Sequence, residues 1–229
     1  MMVQKATYLI LFLFPIACFG QFGGNVRYIF GKSETLDNAN ISQDGIQASL
    51  EYAFRLKQKR VEFHPGLGYR FTLDKPNFEG TMHSFDLDFN TAIYPFDFAG
   101  DCDCPTWSKD GTLIKKGFFI EVSPGIAYQT LQRNYILTDY IPAELEPTDI
   151  SSSNLLWKLG AGVGLDIGIS EQLTITPMFT VSMLSAAEWE GLVRQAYTQP
   201  TKPEMGDFSY LGAGIRLVYK PDSKGRRRF

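Results

Sequence analysis

"WKLGAGVGLDIGI", from Trp157 to Ile169, decides the fold class. Its odd-numbered positions are all apolar, and its even-numbered positions are all glycine or charged residues. A period of two places these two sets on opposite faces of a β-strand. One face of the strand is therefore apolar, while the other carries almost no side-chain bulk.

The same alternation recurs in seven further segments, most of them about ten or more residues long, as tilted membrane strands are. These segments begin near Gly24 and at Ile46, Val61, Ser84, Phe118, Thr174 and Tyr210. Tight links follow the second and sixth segments, and links of roughly one to two dozen residues follow the first, third, fifth and seventh. The fourth link, at 97–117, is also long. We predict an all-β fold: an eight-stranded antiparallel up-and-down transmembrane β-barrel.

The N-terminal segment has the layout of an export signal. Lys5 is its only charge, and the apolar run that follows is too short for a spanning helix. We predict a signal peptide over 1–20, a barrel over 21–220 and a basic periplasmic tail over 221–229. An alternative is lipoprotein processing at Cys18, although Pro15 stands where a leucine is usual. The prediction places the barrel in the outer membrane, with both termini in the periplasm.

Composition narrows the function classes. The net charge of −3 becomes −4 without the signal, so there is no electrostatic case for nucleic-acid binding. Only Cys102 and Cys104 remain after the signal, so packing must supply the stability of the exported chain. No later stretch is apolar enough for a membrane helix. A closed barrel is the other way to span a bilayer.

The glycine face indicates which side of the sheet points inward. A soluble lipocalin-like barrel would show the same period, with an apolar cavity and a wet exterior. A wet strand face normally carries lysine, glutamate or threonine, whereas Gly160, Gly162 and Gly164 gain nothing from water. Inside a narrow barrel, small residues make room for larger side chains across the lumen. We therefore expect the glycines to face the lumen and the apolar side chains to face lipid, with aromatic residues near the strand ends as girdles.

The inward positions carry charges of both signs in nearly equal number. Enclosed charges need partners, so we predict an ion-pair network that fills the lumen and blocks free passage. A proton or solute relay is the alternative role for these groups. The predicted polar network comprises Arg27, Glu51, Arg55, Glu62, His64, Arg70, Asp86, Asp88, Glu121, Lys158, Asp166 and Arg216.

Three prolines lie at similar depths in the third, fifth and seventh predicted strands. They are Pro65, Pro124 and Pro177. Proline lacks the N–H that a β-ladder needs, yet the apolar phase continues through each of them. We predict local gaps in the ladder without a change of register.

Two segments, "EFHPGLGY" (Glu62 to Tyr69) and "EVSPGIAY" (Glu121 to Tyr128), echo each other. With the signal ending in "FGQ" and the glycine-alternating strand, they resemble the small outer-membrane β-barrel families of the Bacteroidota, the PorT-like group among them. The architecture is similar to that of OmpX and OmpA. The last strand, "GAGIRLVY", resembles the barrel-assembly signal, although the chain continues past Tyr219. The resemblance implies an outer-membrane location and an accessory role in secretion.

Several local features are candidates for binding or chemistry. "DCDCP" (Asp101 to Pro105) is open to three interpretations: a structural or oxidised turn, a partner contact, or a metal or redox site. His83, Ser84 and Asp86 could suit a hydrolase, but adjacent strand residues point to opposite faces. We therefore expect no enzyme activity, and neither a cofactor nor a metal.

The outer loops supply the candidates for binding a partner. Aromatic residues on polar loops above a rigid barrel favour binding, although they could equally pack on each other or touch headgroups. These residues are Tyr135, Tyr140, Trp189 and Tyr197, with a short helix expected from Ala186 to Tyr197. A partner could use loops three and four or the periplasmic turn at 97–117, and outer-membrane lipid surrounds the barrel. We expect a structural or interaction protein, such as an accessory subunit of a secretion or envelope complex; a small-solute channel is the alternative.

Overall fold

Eight long strands close into one antiparallel barrel in the computed structural model. It describes residues 21–35, 40–56, 60–75, 80–96, 117–134, 149–170, 172–190 and 204–220. The strands are β1 (Gln21–Thr35), β2 (Asn40–Arg55), β3 (Val61–Lys75), β4 (Gly80–Ile93), β5 (Phe118–Asn134), β6 (Asp149–Leu165), the two-residue β7 (Ile167–Gly168), β8 (Leu173–Trp189) and β9 (Glu204–Tyr219). Successive strands pair, and the β1–β9 and β6–β8 pairings close the barrel. The predicted fold class is confirmed.

The two ends of the barrel differ. One end, which we call the terminal end, holds Gln21, Tyr219 and two tight turns. In one turn the Leu56 amide donates to the Val61 carbonyl at 3.2 Å, and beside the other the Lys220 amide donates to the Gln172 carbonyl at 2.8 Å. The opposite end, which we call the loop end, holds the links after β1, β3, β5 and β8. No helix within the described ranges has the length and apolarity needed to cross a membrane.

Two of the links predicted to be long are short. Only residues 36–39 separate β1 from β2, and only residues 76–79 separate β3 from β4. The strands take up the polar residues that the sequence pattern had assigned to loops. Where the outer face of a strand contacts water, its outward side chains can be polar while its inward side chains remain apolar. The backbone ladder can therefore continue through such residues. The predicted asymmetry of links is therefore wrong for these two, while the links after β5 and β8 are long.

The three prolines interrupt the ladders as predicted. The pairings skip from Glu51↔Gly66 to Phe54↔Phe63, from Asp88↔Gly125 to Thr91↔Val122, and from Gly164↔Met178 to Ile167↔Ile175. The register is the same on both sides of each gap, because a proline removes a donor without inserting a residue. The prediction of gaps without a register change is confirmed.

The stretch from Trp157 to Ile169 is not one unbroken strand. It belongs to β6, which begins earlier at Asp149, and the strand breaks at Asp166 before β7. At the break, the Asp166 amide donates to the carbonyl of Gly117 at 2.9 Å. The interruption lies opposite Pro177 on β8, where the ladder also lacks a donor.

The inward glycines of β6 accommodate neighbours on adjoining strands, rather than side chains across the lumen as expected. A Cβ on Gly164 would overlap the Phe119 ring of β5, and a Cβ on Gly162 would lie 2.8 Å from the Phe179 carbonyl of β8. Real Cβ contacts are not that short. Glycine is therefore required because a ring and a backbone already occupy the space.

Candidate functional site

The middle of the barrel has an apolar outside and a polar inside. Large apolar side chains are exposed on every wall, among them Val26, Leu50, Leu67, Phe85, Leu159, Phe179 and Ile215. The buried interior holds Asn25, Arg27, Gln47, Glu51, His64, Arg70, Asp86, Asp88, Asn90, Glu121, Lys158, Thr176 and Arg216. A water-soluble barrel would show the reverse distribution. The outer face of this band is therefore suited to lipid.

At the loop end the distribution reverses. The outward side chains of Thr130, Ser153, Ser185 and Ser209 are polar, and Thr130 Oγ1 lies 2.9 Å from Ser153 Oγ. The inward side chains there form an apolar cluster that we call the loop-end plug: Ile29, Met82, Ala127, Leu131, Leu156, Leu184, Trp189, Phe208 and Tyr210. The largest buried apolar cluster therefore lies at the end of the barrel where the outward side chains include polar ones. On β6 the outward side chains change from apolar at Leu155 to polar at Ser153.

This is the polarity of an outer-membrane β-barrel. No protein-family model matches the sequence, and no curated protein matches it. Among solved structures, the chain is similar to Neisserial surface protein A, with 10% identity over 86% of this chain and 96% of that chain at a TM-score of 0.44. It is also similar to Ail, the attachment invasion locus protein of Yersinia pestis, with 8% identity over 86% of this chain and 98% of that chain at a TM-score of 0.44.

A third similar structure is a major outer membrane protein from Thermus thermophilus, with 11% identity over 86% of this chain and 98% of that chain at a TM-score of 0.43. These identities and TM-scores are too low to transfer a function. The membrane assignment therefore depends on the polarity of the two barrel faces.

Lys158 ties β6 to β4 through the lumen. Its ammonium lies 3.1 Å from the Asp86 carboxylate and 2.8 Å from the Asp88 carboxylate. Asp86 also accepts from Arg70 at 3.3 Å and from Ser84 at 2.6 Å. One lysine thus balances two acidic residues that share the inward face of β4, and arginine compensates the remaining charge.

A second ion-pair group surrounds Arg216 on β9. The guanidinium lies 2.5 Å from the Glu121 carboxylate of β5, and its Nε lies 2.8 Å from the Glu51 carboxylate of β2. Glu51 also accepts hydrogen bonds from Asn25 and from Ser49, the latter at 3.2 Å. All three charged side chains are almost fully buried. Such charges persist in a barrel interior only when paired.

A third group lies at the terminal end around Tyr94, which follows β4. Its hydroxyl donates to Asp166 at 2.5 Å and lies 3.3 Å from Glu62, while Thr176 donates to the other Asp166 oxygen at 2.6 Å. Burial, followed by the nearby negative charge of Asp166, raises the pKa of the Tyr94 phenol well above its ordinary value. The phenol therefore stays protonated and serves as a donor.

His64 lies between two of these groups. Its ring nitrogens are each 3.8 Å from a carboxylate oxygen, one from Glu51 and one from Glu62. The residue is 3% exposed, and neither nitrogen has a hydrogen-bond partner among the described residues. His64 therefore fills the space between the second and third groups without bonding to either.

The two remaining predicted network residues differ in burial. Arg27 is buried, and it donates to Asn25 at 3.1 Å and to Thr180 at 3.2 Å. Arg55 is exposed at the terminal end, where β2 pairs it with Glu62 of β3. Its predicted place inside the lumen is therefore wrong, because β2 ends at this residue and leaves the side chain at the mouth.

Trp189 does not belong to an exposed loop. It is the last residue of β8, is 0% exposed, and packs edge-on against Phe208 with ring centroids 5.5 Å apart. A β-bulge between Leu184 and Ala187 shifts the register and turns Trp189 inward. The expected helix is wrong over 186–189, which is strand. Tyr135, Tyr140, Tyr197, Cys102, Cys104 and the tail 221–229 lie outside the described residues.

His83 faces outward, away from Ser84 and Asp86. Its Nδ1 lies 2.6 Å from the Tyr69 hydroxyl, and its ring centroid is 5.2 Å from that of Phe71. Ser84 and Asp86 are buried in the lumen. The three residues therefore do not form one site. No group of three or more His, Cys, Asp or Glu side chains in the described ranges is placed to hold a metal ion.

Tyr94 is the functional residue that the sequence-based prediction missed. It lies one residue beyond β4, but it continues the inward phase of Ser84, Asp86, Asp88, Asn90 and Ala92. Extending the even-numbered phase by one further position would have found it. Tyr210 is a second tyrosine that was missed. It accepts a hydrogen bond from Gln129 at 3.0 Å, and the Arg70 guanidinium stacks on its ring at 4.1 Å.

Proposed function

We propose that this chain is a structural or interaction protein of the outer membrane, rather than a channel or an enzyme. The observation that carries the proposal is the filled lumen. Paired charges occupy the middle of the barrel, and the loop-end plug occupies one end. A side-chain-filled eight-stranded barrel has no aqueous path for solutes. Its exposed surfaces remain available for contact with other molecules, which favours a binding role.

An accessory role in a secretion or envelope complex is the specific form of this proposal. The resemblance of the strands around Pro65 and Pro124 to the PorT-like group supports it. In this arrangement the terminal end faces the periplasm and the loop end faces the outside. Purification from outer membranes in mild detergent tests it: we expect this chain to elute with partner proteins. A particle containing this chain alone would contradict the interaction role.

Orientation has its own test. A variant with Cys18, Cys102 and Cys104 replaced by serine and Ser153 by cysteine carries one thiol, which lies at the loop end. A membrane-impermeant maleimide should label it in intact cells, and the matched variant Gln172→Cys should be labelled only after the outer membrane is opened. If only the Gln172→Cys variant were labelled in intact cells, the barrel would have the opposite orientation.

A small-solute channel is the second candidate, because polar side chains line the interior from the half-buried Glu62 at the terminal end to the buried Asp86 on β4. Planar-bilayer recording separates the two functions. We expect no single-channel steps from the purified barrel under conditions in which a large porin conducts. Reproducible steps that scale with salt concentration would establish the channel and remove the structural proposal.

A further inference from the structure

Two acidic side chains share one phenol at the terminal end of the barrel. The Tyr94 hydroxyl lies 2.5 Å from Asp166 Oδ2 and 3.3 Å from Glu62 Oε2. A phenol carries one hydrogen, so it can donate a strong hydrogen bond to only one of these oxygens. The shorter distance assigns the hydrogen to Asp166. Glu62 therefore faces the lone pairs of the phenol oxygen.

Asp166 uses both of its oxygens as acceptors. Oδ2 accepts from Tyr94, and Oδ1 accepts from Thr176 Oγ1 at 2.6 Å. A protonated carboxyl must donate at one oxygen, whereas an ionised carboxylate only accepts. The two hydroxyl donors therefore assign the ionised form to Asp166.

Glu62 has no equivalent pair of donors among the described residues. It lies 3.3 Å from the Tyr94 hydroxyl, and His64 Nε2 is 3.8 Å from the same Glu62 oxygen, which is too long for a hydrogen bond. An ionised Glu62 would place a second negative charge beside Asp166, at a phenol whose hydrogen is already used. A protonated Glu62 donates to the phenol oxygen instead, and the 3.3 Å contact becomes a hydrogen bond.

Water can exchange a proton with Glu62. The Glu62 side chain is 18% exposed at the mouth of the barrel, whereas Tyr94 is 2% exposed. Thr176, the second donor to Asp166, is also buried. A proton can therefore enter and leave at Glu62 while the buried hydroxyl groups keep their places.

Charges of both signs surround Glu62. Asp166 disfavours a second negative charge there, whereas three nearby cations favour it. Arg60 stacks on the Tyr94 ring at 4.2 Å, and Arg55 is exposed, so water screens its charge. The titratable or charged neighbours of Glu62 are Arg55 on β2, Arg60 in the β2–β3 link, His64 on β3, Tyr94 after β4, Asp166 after β6 and Lys220 after β9.

We propose that Glu62, Tyr94 and Asp166 form a proton-operated latch at the terminal end of the barrel. In the closed latch Glu62 is protonated, and a directed chain of hydrogen bonds runs from Glu62 to Tyr94 and from Tyr94 to Asp166. This chain joins β3, the segment after β4 and the break after β6. When Glu62 releases its proton to water, its carboxylate repels Asp166 and the first link opens, while the bond from Tyr94 to Asp166 remains.

The direction of the pH effect follows from the closed state. A carboxyl that holds its proton more tightly in the folded barrel than in the unfolded chain adds stability at low pH, and this addition is lost as the pH rises. The terminal mouth is therefore held more tightly in acid than at neutral pH. The latch is a property of the barrel itself, and it does not depend on the proposed interaction role.

Infrared difference spectra of the barrel in lipid vesicles detect the proton directly. On acidification, the wild type should gain a carboxylic-acid carbonyl band that Glu62→Gln lacks, with a midpoint above about pH 4.3, the ordinary value for glutamate. Glu188→Gln, which changes an exposed carboxylate at the loop end, is the matched control and should keep the band. A Glu62 band that appears only below about pH 4.3, or a proton taken up by His64 without any such band, would overturn the proposal.

Amide hydrogen exchange measures the closing of the mouth. The Tyr94 amide donates to the Arg60 carbonyl at 3.3 Å, and the Asp166 amide donates to the Gly117 carbonyl at 2.9 Å, so both amides report on the latch. We expect their protection factors to be at least about threefold higher near about pH 5 than near about pH 8, as the gain of one hydrogen bond implies.

Glu62→Gln separates the proton from the rest of the site. Its amide can donate to the phenol oxygen at any pH, so the two amides should stay protected and lose their pH dependence. A pH dependence equal to that of the wild type would refute the latch. If this variant does not fold, Tyr94→Phe replaces it: the Glu62 acid band should shift in frequency when its acceptor is removed, and an unshifted band would be equally decisive against the proposal.

Discussion

Arg216 and Glu121 meet across the lumen at 2.5 Å, although they belong to β9 and β5, which are not neighbours in the sheet. The same guanidinium reaches Glu51 on β2. One arginine therefore balances two buried carboxylates and connects three walls of the barrel. The pairing explains how the interior of the barrel accommodates these buried charges.

Replacing Arg216 with methionine should strongly destabilise the barrel. Glu51 and Glu121 would remain buried without their cation, and breaking a buried pair in this way costs about 3–5 kcal/mol. Urea unfolding in lipid vesicles, followed by tryptophan fluorescence, measures the loss. Arg55→Met is the matched control, since Arg55 is exposed at the mouth and a surface pair contributes about 0–1 kcal/mol. Similar losses in both variants would contradict the assigned network.

Substitution by alanine should cost much more stability at Trp189 of β8 than at Trp157 of β6. Trp189 is fully buried in the loop-end plug, so Trp189→Ala removes core packing and should cost about 3–5 kcal/mol. Trp157 faces outward, and Trp157→Ala leaves the interior intact, so its loss should be much smaller. Unfolding midpoints of both variants in the same detergent provide the comparison. A larger effect at Trp157 would place Trp189 outside the plug.

The sequence predicted the faces of the strands better than their ends. Alternation depends on a local property, the environment of each face, so Lys158, Asp86 and Glu121 could be assigned to the interior from their phase alone. The prolines were equally readable, because a missing N–H has the same consequence in any ladder. These features need no knowledge of the partner strand.

The errors in the sequence-based prediction occur where contacts with other strands determine the local structure. The bulge after Leu184 has no compositional mark, and it reverses the face of Trp189. Polar residues near Thr35 and Lys75 look like loop residues, yet they continue the ladders of β1 and β3. The ion-pair partners were also unpredictable, because Arg216 selects Glu51 and Glu121 through barrel closure and not through spacing in the sequence.

An added methyl group should distinguish an inward glycine of β6 from an outward glycine of β1. A Cβ on Gly164 would clash with the Phe119 ring, so Gly164→Ala should cost about 1–3 kcal/mol through overpacking. A Cβ on Gly24 would lie 3.6 Å from its nearest neighbour, the Ser49 carbonyl, so Gly24→Ala should be nearly neutral. The folded fraction on refolding into vesicles, read by electrophoretic mobility, measures both. Equal folding would mean that Phe119 moves aside readily.

Tyr94→Phe should weaken the terminal end of the barrel in a pH-dependent way. The substitution keeps the ring under Arg60 but removes the donor to Asp166, and a buried acceptor without its donor costs about 1–3 kcal/mol. Unfolding free energies of both proteins near neutral pH test this first part. Thr176→Val, which removes the other donor to Asp166, should give a loss of similar size.

The sign of the pH dependence follows from the raised pKa of the Tyr94 phenol. In the unfolded chain this phenol loses its proton near about pH 10, whereas the folded barrel retains the proton to higher pH. The stabilisation by Tyr94 is therefore complete below about pH 10 and falls as the pH rises above it. The difference in unfolding free energy between wild type and Tyr94→Phe should accordingly shrink from about pH 8 to about pH 11, while that between wild type and Thr176→Val should lack this phenol titration. A difference that grows with pH would mean that the folded barrel releases the Tyr94 proton more readily than the unfolded chain does.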